Sequence, residues 1–156
     1  MSFATMIHMT FGSDALVLRK AVESDLTEIK QIADEHKQEL GFIIRGVLLE
    51  SIHRQEVAIA QSNANGMVGF IHYRHRLDSQ TTLYNLAVRQ PYRRSGVGRR
   101  LLEFLIQDAV ASQKLTIRLK CPEELASNSF YAHHGFQLVL VENGKHRRLN
   151  VWALNL

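Results

Sequence analysis

Arg89-Gln90-Pro91-Tyr92-Arg93-Arg94-Ser95-Gly96-Val97-Gly98-Arg99-Arg100 is the stretch on which the reading of this chain turns. Residues 81–88 before it are β-branched and apolar, and they read as a strand. After it, Val97, Leu101, Leu105 and Ala109 recur every four residues, with Leu102, Ile106 and Val110 beside them. That spacing predicts the apolar face of a helix from Gly96 to about Gln113. A basic, glycine-bearing turn therefore joins a strand to a helix N-terminus. The first N–H groups of a helix have no partner within it and lie at the positive end of its dipole. Gly96 and Gly98 carry no Cβ, so a ligand and the backbone can approach closely there. Such a turn suits an anion, above all a phosphate. The spacing is neither that of the Gly-x-x-x-x-Gly-Lys-Ser/Thr loop nor that of Gly-x-Gly-x-x-Gly.

Working outward, residues 15–20 predict a first strand and residues 26–33 an amphipathic helix, with Ser24 or Asp25 as its cap. Gly41 is expected to end that helical region, and residues 44–53 to form a second one. Residues 56–60, 67–73 and 81–88 read as three strands of a meander, turned at Asn63-Ala64-Asn65-Gly66 and Asp78-Ser79-Gln80. After the long helix come a strand at 115–120, a short helix stopped by Gly135, and two strands at 136–141 and 149–156. The strand at 115–120 is expected to lie parallel to 81–88, because a helix crosses between them.

The 156 residues fit one domain, with 46% hydrophobic and 22% charged residues as in ordinary globular proteins. We expect a flexible segment at 1–14 followed by a single domain at 15–156. The N-terminus lacks the pattern of a secretory signal, and no apolar run reaches membrane-spanning length. One cysteine, Cys121, excludes an internal disulfide and fits a reducing cytoplasm. The eight histidines show no zinc spacing, so no metal is expected. The net charge is +4, and five arginines fall between Arg89 and Arg100. So local a cluster matches a small polyanion better than a nucleic-acid duplex, and no nucleic acid is expected as partner.

Arg93-x-x-Gly96-x-Gly98 resembles the Arg/Gln-x-x-Gly-x-Gly/Ala motif of the GCN5-related N-acetyltransferases (GNAT). Four further segments resemble that family in order: 19–26, 67–70, 86–88, and Asn128-Ser129-Phe130-Tyr131 with Gly135-Phe136. The resemblance spans about residues 15–156. It implies an α/β fold with a mixed, mostly antiparallel sheet splayed at a parallel strand pair and flanked by helices. It implies acetyl-CoA as co-substrate, its pyrophosphate on the backbone of Ser95, Gly96, Val97, Gly98 and Arg99. Arg93 and Arg94 would add charge-assisted contacts, and Arg99 or Arg100 could reach the ribose phosphate. Leu86, Ala87 and Val88 would hold the pantetheine arm and polarise the thioester carbonyl. Tyr131 would be the general acid toward the leaving thiolate, and Asn128, on the same helix face, would bond the pantetheine amides.

Many members carry Asn seven residues and Ala four residues before that tyrosine, where this chain has Glu124 and Ser127. The general base stays open among His36, Glu39, Glu50, His72 and His75. The implied reaction is acetyl transfer to a primary amine of a small molecule or protein. A non-catalytic acetyl-CoA sensor and a basic nucleic-acid binder are the alternatives, and a homodimer stays open.

Overall fold

The computed structural model describes residues 15–156. The segment at 1–14, expected to be flexible, lies outside the described residues. Among the described residues seven strands form one sheet: β1 Leu16–Lys20, β2 Val57–Ser62, β3 Gly66–His75, β4 Gln80–Val88, β5 Thr116–Pro122, β6 Gln137–Asn143 and β7 Arg148–Asn155. Their order across the sheet is β1-β2-β3-β4-β5-β7-β6. All neighbours are antiparallel except β4 and β5. The helices are α1 Leu26–Glu35, α2 Lys37–Leu40, α3 Arg45–His53, α4 Val97–Ala111 and α5 Ser127–His133.

Both faces of the central strands are covered, which is why Val57, Ala58, Ile59 and Ala60 are all buried although they alternate sides. On one face Ile29, Ile32 and Leu48 of α1 and α3 pack against Ile59 and Phe70. On the other, Leu101, Leu105 and Ala109 of α4 pack against Ile71 and Ile117. The four-residue spacing of the α4 stripe thus meets the sheet as its periodicity requires. Asp25 does not cap α1 with its side chain. Instead its carboxylate takes two hydrogen bonds from Arg19 and one from the Val22 N–H, closing a short 3₁₀ turn ahead of the helix. The Arg19 hydrogen bonds hold its pKa below the ordinary carboxylate value despite burial.

Two irregularities shape the site. The parallel pairing of β4 and β5 covers only Gln80↔Thr116, Thr81↔Ile117 and Thr82↔Arg118. Beyond these pairs β4 continues to Val88 and β5 to Pro122 without pairing, so the sheet splays open between them. Across the β3–β4 pair, Tyr73 faces Leu83 while His72 faces Asn85, which leaves Tyr84 as the extra residue of a bulge.

Candidate functional site

The turn after β4 is built to leave donors free. Gly96 precedes α4 at φ 88 and ψ 4, and Arg94 is also left-handed at φ 62. None of the N–H groups from Arg94 to Arg99 has a backbone acceptor among the described residues; the first helical bond runs from Arg100 N–H to Gly96 O at 3.1 Å. A Cβ on Gly96 would meet only the tip of Arg99, at 3.6 Å, so space above the glycine is open. At Gly98 a Cβ would stand at ordinary contact distance, 3.4 Å, from the Phe130 ring of α5. Alternating left-handed residues with converging N–H groups make an anion-binding concavity.

The arginines divide in two groups. Arg93 is tied down, donating to Val88 O at 3.2 Å and to Glu39 at 3.1 Å, and Arg99 pairs with Glu103 at 3.1 Å. Arg94 and Arg100 have no partner among the described residues. The donors thus match a pyrophosphate: a row of N–H groups, open space above Gly96 and two uncommitted guanidinium groups.

The splay between β4 and β5 forms the rest. Arg89 N–H donates to Val68 O of β3 at 2.8 Å. Successive residues of a strand alternate their N–H groups between neighbours, so Val88 and Leu86 turn theirs away from β3, into the gap. Ala87 is placed otherwise than the sequence reading has it: its N–H belongs to the β3 side, and its side chain is buried against α1 and α3. A small cavity of about 70 Å³ lies in the gap, lined among others by Glu39, Leu86, Cys121 and Tyr131. Tyr131 is 8% exposed, and no side chain among the described residues takes its hydroxyl. Burial, with Cys121 beside it, pushes its pKa well above the usual phenol value, so the proton stays on at neutral pH. Cys121 is buried too; burial raises its pKa despite a hydrogen-bond contact with Ser127 Oγ at 3.2 Å. That environment makes it a poor nucleophile.

Asn128 also departs from its expected role. Its amide nitrogen donates to Pro122 O and Leu125 O, both at 2.8 Å. Its oxygen accepts from Asn150 and Trp152 Nε1, both at 2.9 Å. Those donors and acceptors fasten the β5–α5 loop to β7, which leaves its amide committed to the protein.

Residues 53–138 match the family model described as the acetyltransferase (GNAT) domain. The chain belongs to the GNAT acetyltransferase family. No curated protein sequence matches it. Among solved structures it is similar to Ard1 from Thermoplasma volcanium, with a TM-score of 0.81 at 18% identity, covering 91% of this chain and 98% of that one. The PaiA N-acetyltransferase from Thermoplasma acidophilum, solved with coenzyme A, gives 0.77 at 19%, covering 91% and 99%. The ribosomal-protein-S18-alanine N-acetyltransferase from Escherichia coli gives 0.75 at 20%, covering 90% and 94%. As a member of this family the protein is an acetyltransferase, and among the described residues no His, Cys, Asp or Glu cluster could hold a metal. No described helix is long and apolar enough to cross a membrane.

The five candidate bases separate in space. His75 of the acetyltransferase lies on the α4 face, bonded to Thr81 and to Asp108, which Lys20 and Tyr73 also reach. His36 is buried between Ile32 O and Val88 O. Glu39 lines the gap itself. Glu50 and His72 line a second, larger cleft of about 480 Å³, which meets the gap at Tyr84. Sequence reasoning missed Ser51, which bonds His72 Nε2 at 2.8 Å while Asn85 Nδ2 meets Nδ1 at 3.2 Å. It missed Tyr84 as a wall of both clefts, since nothing local marks a bulge.

His72 is 3% exposed, and burial pulls its pKa from 6.5 down to about 4. Its folded pKa is depressed, so the unfolded chain binds the extra proton first as pH falls below 6.5. Stability from this group is complete above that value and is lost toward pH 4, by about 3 kcal/mol in all. Melts at pH 7 and pH 4.5 should show a smaller acid-induced drop for His72→Gln than for wild type. Equal drops would mean that other groups govern the acid limb.

Proposed function

We propose that the protein transfers acetyl from acetyl-CoA to the primary amine of a small molecule or peptide by direct attack. One observation supports this most. Leu86 and Tyr131 line one gap in the sheet, and the glycine turn, whose N–H groups lack backbone acceptors among the described residues, follows directly from the same strand β4.

The turn from Ser95 to Arg99 holds the pyrophosphate through N–H groups, and Arg94 and Arg100 add charge. Arg93 acts indirectly, bracing the turn against Val88 and Glu39. Acetyl-CoA supplies a thioester carbonyl and a thiolate leaving group. Leu86 and Val88 aim fixed N–H donors at the carbonyl oxygen, where negative charge grows as the amine attacks. Tyr131 gives its proton to the departing sulfur. Glu39, a carboxylate among the gap-lining residues, keeps Oε1 on Arg93 and takes the proton of the incoming ammonium on its other oxygen, directly or through water. His72 is disfavoured as base because burial costs its protonated form so much. We place the reaction in the cytoplasm, which suits the single, unpaired Cys121.

The test is a thiol-release assay with acetyl-CoA across a panel of amines, with products weighed by mass spectrometry. At least one primary amine should gain 42 mass units, about the mass of an acetyl group less one hydrogen, by the bond exchange proposed. Coenzyme A binding without acetylation of any amine would overturn catalysis and leave a sensor.

A further inference from the structure

The acceptor side of the sheet carries a second set of uncommitted cations. Among the described residues, Arg74, Arg76 and Arg118 have no side-chain hydrogen-bond or ion-pair partner. Arg74 sits directly opposite Thr82 on β3, and Arg118 directly opposite Thr82 on β5. Directly paired residues project from the same face of a sheet. With strands about 4.8 Å apart, the two arginines flank Thr82 with backbones about 10 Å from each other. Gln80 donates to Thr82 Oγ1 at 3.2 Å, which leaves the hydroxyl proton of Thr82 for another acceptor.

These groups line adjoining clefts that meet at Tyr84: one of about 480 Å³ with Arg74, and one of about 400 Å³ with Arg76, Thr82 and Arg118. Among the described residues no carboxylate lines the second cleft. Glu50 in the first is already paired with Arg54 at 2.7 Å. Walls of one sign concentrate the field between them and draw in opposite charge. The phosphate turn is at the far end of β4, so this cluster serves a different anion.

Resting on the proposed acetyl transfer, we propose that the acceptor is a peptide whose N-terminal amine reacts at the gap and whose acidic side chain is clamped by Arg74, Arg118 and Thr82. The reach sets the spacing. Thr82 lies four positions from Leu86 on β4, about 13 Å at the rise of a strand. An extended peptide covers that distance in about four residues, so the acidic side chain belongs at the third or fourth position. The two clefts together exceed the room a single amino acid needs. A polyamine is excluded by repulsion from three cations.

The experiment uses the full chain, acetyl-CoA and three amidated tetrapeptides, Ala-Ala-Ala with Glu, Gln or Lys at the fourth position. The Glu peptide should show a kcat/KM about 10-fold or more above the Gln peptide, expressed mainly in KM, with the Lys peptide poorest. Arg118→Gln and Arg74→Gln should each shrink the Glu-over-Gln ratio, and Arg118→Glu should favour the Lys peptide. Coenzyme A affinity, measured in parallel, is the control for folding. Equal rates for the Glu and Gln peptides, or a ratio untouched by the variants, overturn the acidic-peptide site while acetyl transfer stands. Acetylation of polyamines with no peptide turned over does the same. So does inhibition by a single-stranded oligonucleotide without any preference among peptides. Failure to bind coenzyme A at all overturns the underlying acetyl-transfer reading instead.

Discussion

Gly96→Asp is expected to lower affinity for coenzyme A by about 100-fold or more, close to 3 kcal/mol, while the protein stays folded. The position decides this. Gly96 stands immediately before α4 at φ 88, and its N–H and those of the next three residues lack backbone acceptors among the described residues. A carboxylate there meets the free N–H groups from within the chain and repels the phosphates that should occupy them. The fold tolerates the change. The added Cβ has only the Arg99 tip at 3.6 Å, the left-handed conformation costs about 1–2 kcal/mol, and a negative charge at a helix N-terminus returns part of that. Gly96→Ala separates the two effects, since it adds the Cβ and the strain but no charge. It should bind more weakly than wild type and far better than the aspartate. Isothermal titration with coenzyme A, beside a thermal melt, reads both quantities. Wild-type affinity in Gly96→Asp would remove the phosphate site from this turn.

The turn was legible in the sequence because everything that makes it is local. A strand, two glycines and a four-residue apolar stripe lie within about thirty residues, and no distant contact is needed to orient the N–H groups. The element order was legible for the same reason. What escaped was set by register. Ala87 and Leu86 are equivalent as sequence, but their N–H groups point to opposite neighbours once Arg89 bonds to Val68. The bulge at Tyr84 exists only in the pairing of β3 with β4, and it brings Tyr84 to the wall of both acceptor clefts. Arg74 and Arg118 are 44 positions apart, and only the β3–β4–β5 register sets them about Thr82. Asn128 stands on the same short helix as Tyr131, yet its partners Asn150 and Trp152 lie more than twenty residues on. Choosing among the carboxylates and histidines needed the third dimension as well. Glu39 lines the gap from the short helix α2, which no local pattern sets beside β4 and β5.

Tyr131→Phe is expected to cut turnover by about 10²–10⁴-fold with little change in coenzyme A affinity or melting temperature. The substitution keeps the ring, and the ring is what the fold uses: Tyr131 stands edge-on to Phe130 and Phe136, with centroids 5.3 and 5.5 Å away. The hydroxyl serves no such purpose, since it has no partner among the described residues, and removing it leaves no buried group unsatisfied. Its proton is held by burial, which raises the pKa far enough that ionisation does not compete at neutral pH. The acid is therefore in its donating form throughout the working range, and the loss in Tyr131→Phe should be independent of pH between about 6 and 9. A group titrating near neutrality would give a ratio that varies over that interval. The measurement is kcat for an acetylated amine at several pH values, with a melt and a titration alongside. Unchanged turnover would give proton delivery to water, and a large fall in melting temperature would show that the hydroxyl serves the core.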